Sequence, residues 1–294
     1  MGKGQFKTVA LLALLSGLLV VIGYSLYGPS GAVMGLGIAA VTNFGSWFYS
    51  DKIALNAYKA QPVSRAQAPA IYNMVERLAE RAQIPMPGVY VVPGAAANAF
   101  ATGRDPEHAA VAVTEGIVKA LSEEELEAVL AHELTHIINR DTLTQAVAAT
   151  IGGAIAFLAQ MLQYSMFFGG NRNREGGGAN PIAMMATIFL APMAATIIQM
   201  GISRTREFAA DAGAAKLTGN PRALASALKR LEASAQRMPM DANPAFEPLL
   251  IVNALPQQMF RSLFSTHPST DDRVARLLEI EQPQLAGSAV SFNR

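Results

Sequence analysis

The stretch "AHELTHIINRD", residues 131–141, sets His132 and His136 four positions apart with Glu133 beside the first. Four residues of α-helix turn through about 400°, so the two rings lie about 40° apart on one face and can reach a common ion. Glu133, turned about 100° from His132, can touch a water at that ion without displacing it. This is the H-E-x-x-H pattern of zinc-dependent hydrolysis, in which the histidines bind metal and the glutamate is the base. The helix is well marked. "LSEEELEAVLAHELTHIINR" opens with Ser122 and Glu125 at capping-box spacing and carries Leu126, Val129, Leu130, Glu133 and Ile137 along one side.

A tetrahedral zinc with two histidines takes a third protein ligand and leaves its fourth place to water. Of the other two histidines, His108 stands in the turn "RDPEH" and reads as a solvated surface residue. An acidic ligand on a second helix is the better expectation. "EFAAD" offers Glu207 as ligand and, one turn on, Asp211 to accept a ring N–H from a ligand histidine; the alternative is a plain acid pair on Arg204 or Arg206. His267, in "STHPST", either caps or packs the helix that follows or donates to the oxyanion of a tetrahedral intermediate. Arg273 either supports that role, fixes a nearby carboxylate or makes a structural ion pair. In "NAFATG", Asn98 is either a turn residue or a contact to substrate backbone laid along a strand edge, a mode that tolerates many sequences.

Around this centre the chain is oily: 51% hydrophobic and 15% charged, the apolar residues gathered into runs. Thr8–Tyr27 is 20 residues without a charge, enough to cross about 30 Å of hydrocarbon. Three more uncharged runs follow, Gly31–Ser50, Gln145–Phe168 and Ile182–Ser203. A cleaved signal peptide is the alternative for the first, but the second run after "GPS" favours a transmembrane hairpin. The expected fold class is a mainly α membrane protein, with four transmembrane helices and a zincin-like α+β catalytic domain holding a small antiparallel sheet. The expected organisation is a tail (1–7), a hairpin (8–50), a catalytic segment (51–144), a second hairpin (145–203, with linker 169–181) and a second catalytic segment (204–294). Strands are expected at 88–92, 98–103 and 109–118, and helices at "APAIYNMVERLAERAQIP", through "RTREFAADAGAAKLTG" to Gly219, and at "DDRVARLLEI". If the zinc helix ran on into the third run, His136 would lie about 13 Å along the axis from Gln145, placing the site near the membrane surface.

Lys3 and Lys7 before the first run, and Lys52, Lys59 and Arg65 after the second, put the tail and both catalytic segments in the cytoplasm by the positive-inside rule; Arg172 and Arg174 argue weakly against it. With 23 basic and 22 acidic residues there is no electrostatic footprint for nucleic acid, and the absence of cysteine excludes disulfides, thiolate metal sites and thiol nucleophiles.

"HELTH", then "EFAAD" after a membrane hairpin, then "THPSTDDR" resemble the HtpX family of membrane zinc metalloproteases, heat-shock-associated relatives of the CAAX prenyl endoprotease, with "NAFATG" also in family order. The resemblance covers nearly the whole chain, with no departure in the motifs. It implies Glu207 as third ligand, one Zn2+ per chain, a catalytic role for His267, and degradation of damaged or misfolded membrane proteins at the bacterial inner membrane. It also implies self-cleavage when zinc is available. Two other classes compete. A zinc-stabilised scaffold or chaperone would close the fourth coordination place and has no use for Glu133. A transporter is expected to carry ionisable residues within its spans, and the four runs have none. Catalysis within the bilayer is disfavoured by the charged flanks "SEEELE" and "NRD".

Overall fold

The computed structural model describes residues 3–168, 181–238, 240, 249–251 and 268–289. Residues 169–180 of the Gly-rich linker, and His267, lie outside the described residues. The chain forms two compact units, each discontinuous in sequence: Met1–Phe48 with Thr144–Ile202, and Tyr49–Leu143 with Ser203–Arg294.

The first unit is helical. α1 (Lys3–Ala57) carries Gly28 and Pro29, and Gly28 takes a left-handed φ of 64° that an L side chain resists. The helical ribbon doubles back there. Asn43 Nδ2 donates to Ser16 Oγ at 3.0 Å, and Gly23 and Gly31 approach so closely that a Cβ on either would strike the other's backbone. The remainder of the unit comes from the parts of α5 (Asp141–Phe168) and α6 (Pro181–Thr218) that lie between Thr144 and Ile202; the start of α5 and the end of α6 belong to the second unit. Two helical stretches, Ala13–Gly45 and Asp141–Tyr164, are long and apolar enough to cross a membrane, and Met184–Ile198 is a shorter apolar one. Four spans are not distinguished among the described residues. Val33, Val41, Phe44, Phe157 and Ile182 stand exposed along these helices.

The second unit packs helices on a four-stranded sheet. Its strands are β1 (Gln61–Pro62), β2 (Gly88–Val92), β3 (Ala99–Gly103) and β4 (Ala109–Thr114), in the order β1-β2-β4-β3. The sheet is mixed rather than antiparallel: β3 pairs antiparallel with β4, but β2 runs parallel to it. After β2 the chain passes β4's place and lays β3 on its far side, so β2 and β3 never pair. The third strand is also shorter than expected. Thr114 Oγ1 accepts from the Ile117 N–H at 3.1 Å, so the run to 118 breaks into α3 (Glu115–Ala120).

α2 (Pro69–Ala82), α4 (Glu123–Ile138), α7 (Pro221–Arg237) and α8 (Thr270–Ala289) complete this unit. Leu78 of α2, Val111 of β4, Leu130 and Leu134 of α4, and Leu224, Leu228 and Leu231 of α7 meet in one core. α4 opens with the capping box: Ser122 N–H donates to Glu125 Oε2 at 2.9 Å, and Glu125 N–H to Ser122 Oγ at 3.3 Å. Glu125 also takes the Ser226 hydroxyl at 2.6 Å and faces Arg230 Nε at 3.0 Å, tying α7 to α4. α4 does not continue into the third apolar run. It ends at Ile138, Arg140 adopts a left-handed φ of 57°, and α5 begins at Asp141.

Candidate metal centre

His132, Glu133 and His136 lie on the core-facing side of α4, all but fully buried. α6 lies against that face, and at Gly213 a Cβ would collide with the Thr135 side chain, so the glycine permits the close approach. The approach brings Glu207 and Asp211, one turn apart on α6, to the two histidines.

His132 Nε2 and His136 Nε2 stand 3.2 Å apart, with Glu207 Oε2 3.7 Å from the first and Glu207 Oε1 3.5 Å from the second. Ligand atoms each about 2.0–2.1 Å from a tetrahedral zinc-type ion stand about 3.3 Å apart. The donor set therefore fits such an ion in both spacing and chemistry. Among the described residues, this His-His-Glu group has the make-up of a metal site.

The outer partners set the tautomers. Asp211 Oδ1 accepts the His132 Nδ1 proton at 2.9 Å, which turns Nε2 toward His136 and Glu207. Arg273, reaching in from α8, is buried and grips Asp211 with both arms, Nε to Oδ2 at 2.9 Å and Nη2 to Oδ1 at 2.7 Å. Its Nη1 donates to Ile251 O at 3.0 Å and lies 3.3 Å from Glu207 Oε2. Of the roles open to it in the sequence, Arg273 is placed to fix carboxylates. Burial works against the Asp211 anion, yet Arg273 and His132 hold its carboxyl below the usual range.

The two histidines differ. Burial depresses His132 and Arg273 repels its proton, so that ring is neutral despite Asp211. Burial would depress His136 as well, but hydrogen bonds to Asp141 and Glu207 outweigh it and push the ring up to about 10. Glu133 is pushed up to about 7, chiefly by burial; the charge on His136 and a hydrogen bond from the Ala101 backbone pull the other way. A carboxyl poised near neutrality suits a general base.

Asp141 is the residue that spacing missed. Its Oδ2 lies 3.2 Å from His136 Nδ1, and Arg206 Nε lies 3.3 Å from its Oδ1. The only sequence signal was the Asn-Arg-Asp run that ends α4. Arg206, a candidate partner for the "EFAAD" acids, thus serves Asp141 instead; the Arg204 side chain lies outside what the structure describes. His108 is exposed, its Nδ1 on Asp105 at 2.6 Å, away from this cluster.

Beside the histidines runs β3, one of the sheet's two edge strands. Asn98 is buried, and its Oδ1 accepts the N–H groups of Ala99 at 3.0 Å and Ile251 at 3.2 Å. Ile251 N–H also bonds Ala99 O at 3.0 Å, and Thr142 Oγ1 donates to Gly103 O at 2.8 Å. The outward groups of β3 thus face both Glu133 and backbone from the second catalytic segment.

A buried His-His-Glu group that could hold a metal ion, with a further glutamate beside its first histidine, fits a metallopeptidase. The comparisons agree: the Peptidase family M48 model matches residues 65–281, and the chain belongs to that family and is a metalloprotease. It is 67% identical over 281 residues to a "Protease HtpX homolog" of Trichormus variabilis, covering 95% of this chain and 97% of that protein. It is 60% identical over 289 residues to the homologue from Acaryochloris marina, covering 98% of each. The crystal structure of S. mikatae Ste24p shares the fold, with a TM-score of 0.53 and 21% identity over 93% of this chain and 64% of that one.

Proposed function

We propose that the protein is an integral-membrane zinc endopeptidase of the gluzincin type that hydrolyses peptide bonds of misfolded or damaged membrane proteins. The observation that carries this reading is the convergence of His132 Nε2, His136 Nε2 and a Glu207 oxygen beside a buried glutamate whose carboxyl titrates near 7. His132, His136 and Glu207 would hold zinc, and the chemistry it supplies when bound is Lewis acidity, toward a water and toward the scissile carbonyl. Glu133 takes the water's proton and passes it to the leaving nitrogen. Asp211, backed by Arg273, keeps the His132 ring turned, while burial and the Arg273 charge keep it neutral. His267, three residues before α8 in sequence, is proposed as the donor to the oxyanion.

Substrate is proposed to lie extended along the outer edge of β3, with Asn98 among its contacts. Support comes from Ile251, whose backbone N–H already sits on Ala99 O and Asn98 Oδ1 as the N–H of an added strand would. A substrate strand there would take the place of that N–H. The two apolar helical stretches, and the lysines flanking the first runs, support a multi-pass protein of the bacterial inner membrane with its site facing the cytoplasm.

The test pairs zinc content with cleavage of an unfolded membrane protein by the detergent-purified chain, wild type beside Glu133→Gln. One zinc in each, with cleavage lowered at least about 100-fold in the variant, is expected. Equal cleavage would remove Glu133 from the reaction, and zinc without cleavage in either would favour a zinc-stabilised scaffold or chaperone.

A further inference from the structure

We propose that Asp141 is a positioning residue for the metal centre: it accepts the Nδ1 proton of His136, so that Nε2 faces the ion, and Arg206 holds it there. The inference rests on reading His132, His136 and Glu207 as metal ligands.

The argument begins with a place where Asp141 ought not to be. On an unbroken helix a residue five positions on lies about 140° round the axis and about 7.5 Å along it, so its carboxylate could not meet the His136 ring. Here α4 stops at Ile138, and the left-handed turn at Arg140 restarts the chain as α5 at Asp141. That turn swings the carboxylate back, and Oδ2 comes to 3.2 Å from Nδ1. Asp141 and the ring are both buried, so water does not substitute for the contact.

Arg206 grips Asp141 at two points, Nε to Oδ1 at 3.3 Å and Nη1 to the backbone O at 3.4 Å. Since Arg206 directly precedes Glu207, one turn of α6 supplies a ligand and anchors the group that orients another. The result repeats the arrangement on the other ring: His132 leans on Asp211 backed by Arg273, and His136 leans on Asp141 backed by Arg206. Each ligand histidine has its own arginine-held carboxylate. The competing role for Asp141 is that of an acid in the first turn of α5, which favours a helix through its dipole and needs no histidine.

Zinc affinity of the detergent-purified full-length chain, measured by competition with a chromophoric chelator, separates the two roles without recourse to proteolysis. Asp141→Ala is expected to bind zinc about 10- to 100-fold more weakly. Asp141→Asn keeps an oxygen that accepts the ring proton and is expected to recover part of that loss. Thr142→Ala, which frees the start of α5 from Gly103 O, is expected to lower the thermal midpoint and leave zinc affinity at the wild-type value. The proposal is overturned if Asp141→Ala binds zinc like wild type, if Asp141→Asn is no tighter than Asp141→Ala, or if Thr142→Ala weakens zinc as much. A wild type that takes up no zinc sinks the metal reading itself, and this proposal with it; zinc uptake that is indifferent to Asp141 sinks only this proposal.

Discussion

An imidazole presents a lone pair to a cation only while the proton on that nitrogen is elsewhere, and the two rings proposed as ligands meet this condition differently. His132 is already neutral, whereas His136, raised to about 10 by Asp141 and Glu207 against the effect of burial, carries an extra proton at neutral pH. A zinc bound there as proposed would have to displace that proton. Loading is therefore expected to release about one proton per ion, and apparent affinity to rise about tenfold from pH 7 to pH 8. Calorimetry in two buffers of different ionisation enthalpy reads the first, and chelator competition the second; an affinity flat across that interval contradicts the assignment of the proton to His136. Arg273 is the other decisive residue. Removing it leaves Asp211 buried beside Glu207 without its cation, so Arg273→Ala is expected to cost about 3–5 kcal/mol of stability, read from denaturant unfolding in detergent. Arg273→Lys loses the two-armed grip and should fall between that variant and wild type.

At the level of elements, α4 was the most legible part of the chain, because local chemistry starts it and one apolar face buries it. The Ser122–Glu125 box formed as its spacing implied, and Ser122→Ala is expected to cost about 1 kcal/mol. The end of α4 was less legible. Nothing in local propensity required the helix to break at Arg140, a residue that adopts a left-handed φ of 57° at some cost. Glycine takes that conformation freely, so Arg140→Gly is expected to leave stability unchanged or raise it by about 1 kcal/mol, with the thermal midpoint as the readout. The strands show the complementary limit. β2 and β3 were readable as extended runs, but their partners depend on which side of β4 the chain passes, and alternation of residues along a strand does not encode that. The expected third strand failed at its end because Thr114, a good strand former, was drawn into capping α3.

In the whole molecule, both compact units draw their residues from separated parts of the chain: the first two apolar runs precede the second unit, and the last two interrupt it between Leu143 and Ser203. The absence of cysteine makes orientation directly testable. Ser30→Cys, at the exposed turn of the first hairpin, is expected to react with an impermeant maleimide in intact cells, whereas Ser64→Cys should react only after lysis. The reverse pattern would turn the proposed orientation over.

The sequence by itself determined whatever depends on near neighbours: two histidines on one helical face with a glutamate beside them, an acid pair one turn apart, apolar runs long enough for a bilayer, and a helix start written in two side chains. Only the tertiary structure decided which histidine Asp211 would serve, that Arg273 would hold it, that Asp141 would return to His136, and that the sheet would be mixed. The division has a physical cause. Periodicity fixes direction around a single axis, so it ranks groups within one element, while contacts across a break or between helices depend on where the chain turns and how closely two surfaces pack. Those in turn rest on single residues such as Arg140 and Gly213, whose effect appears only when the partner surface is in place.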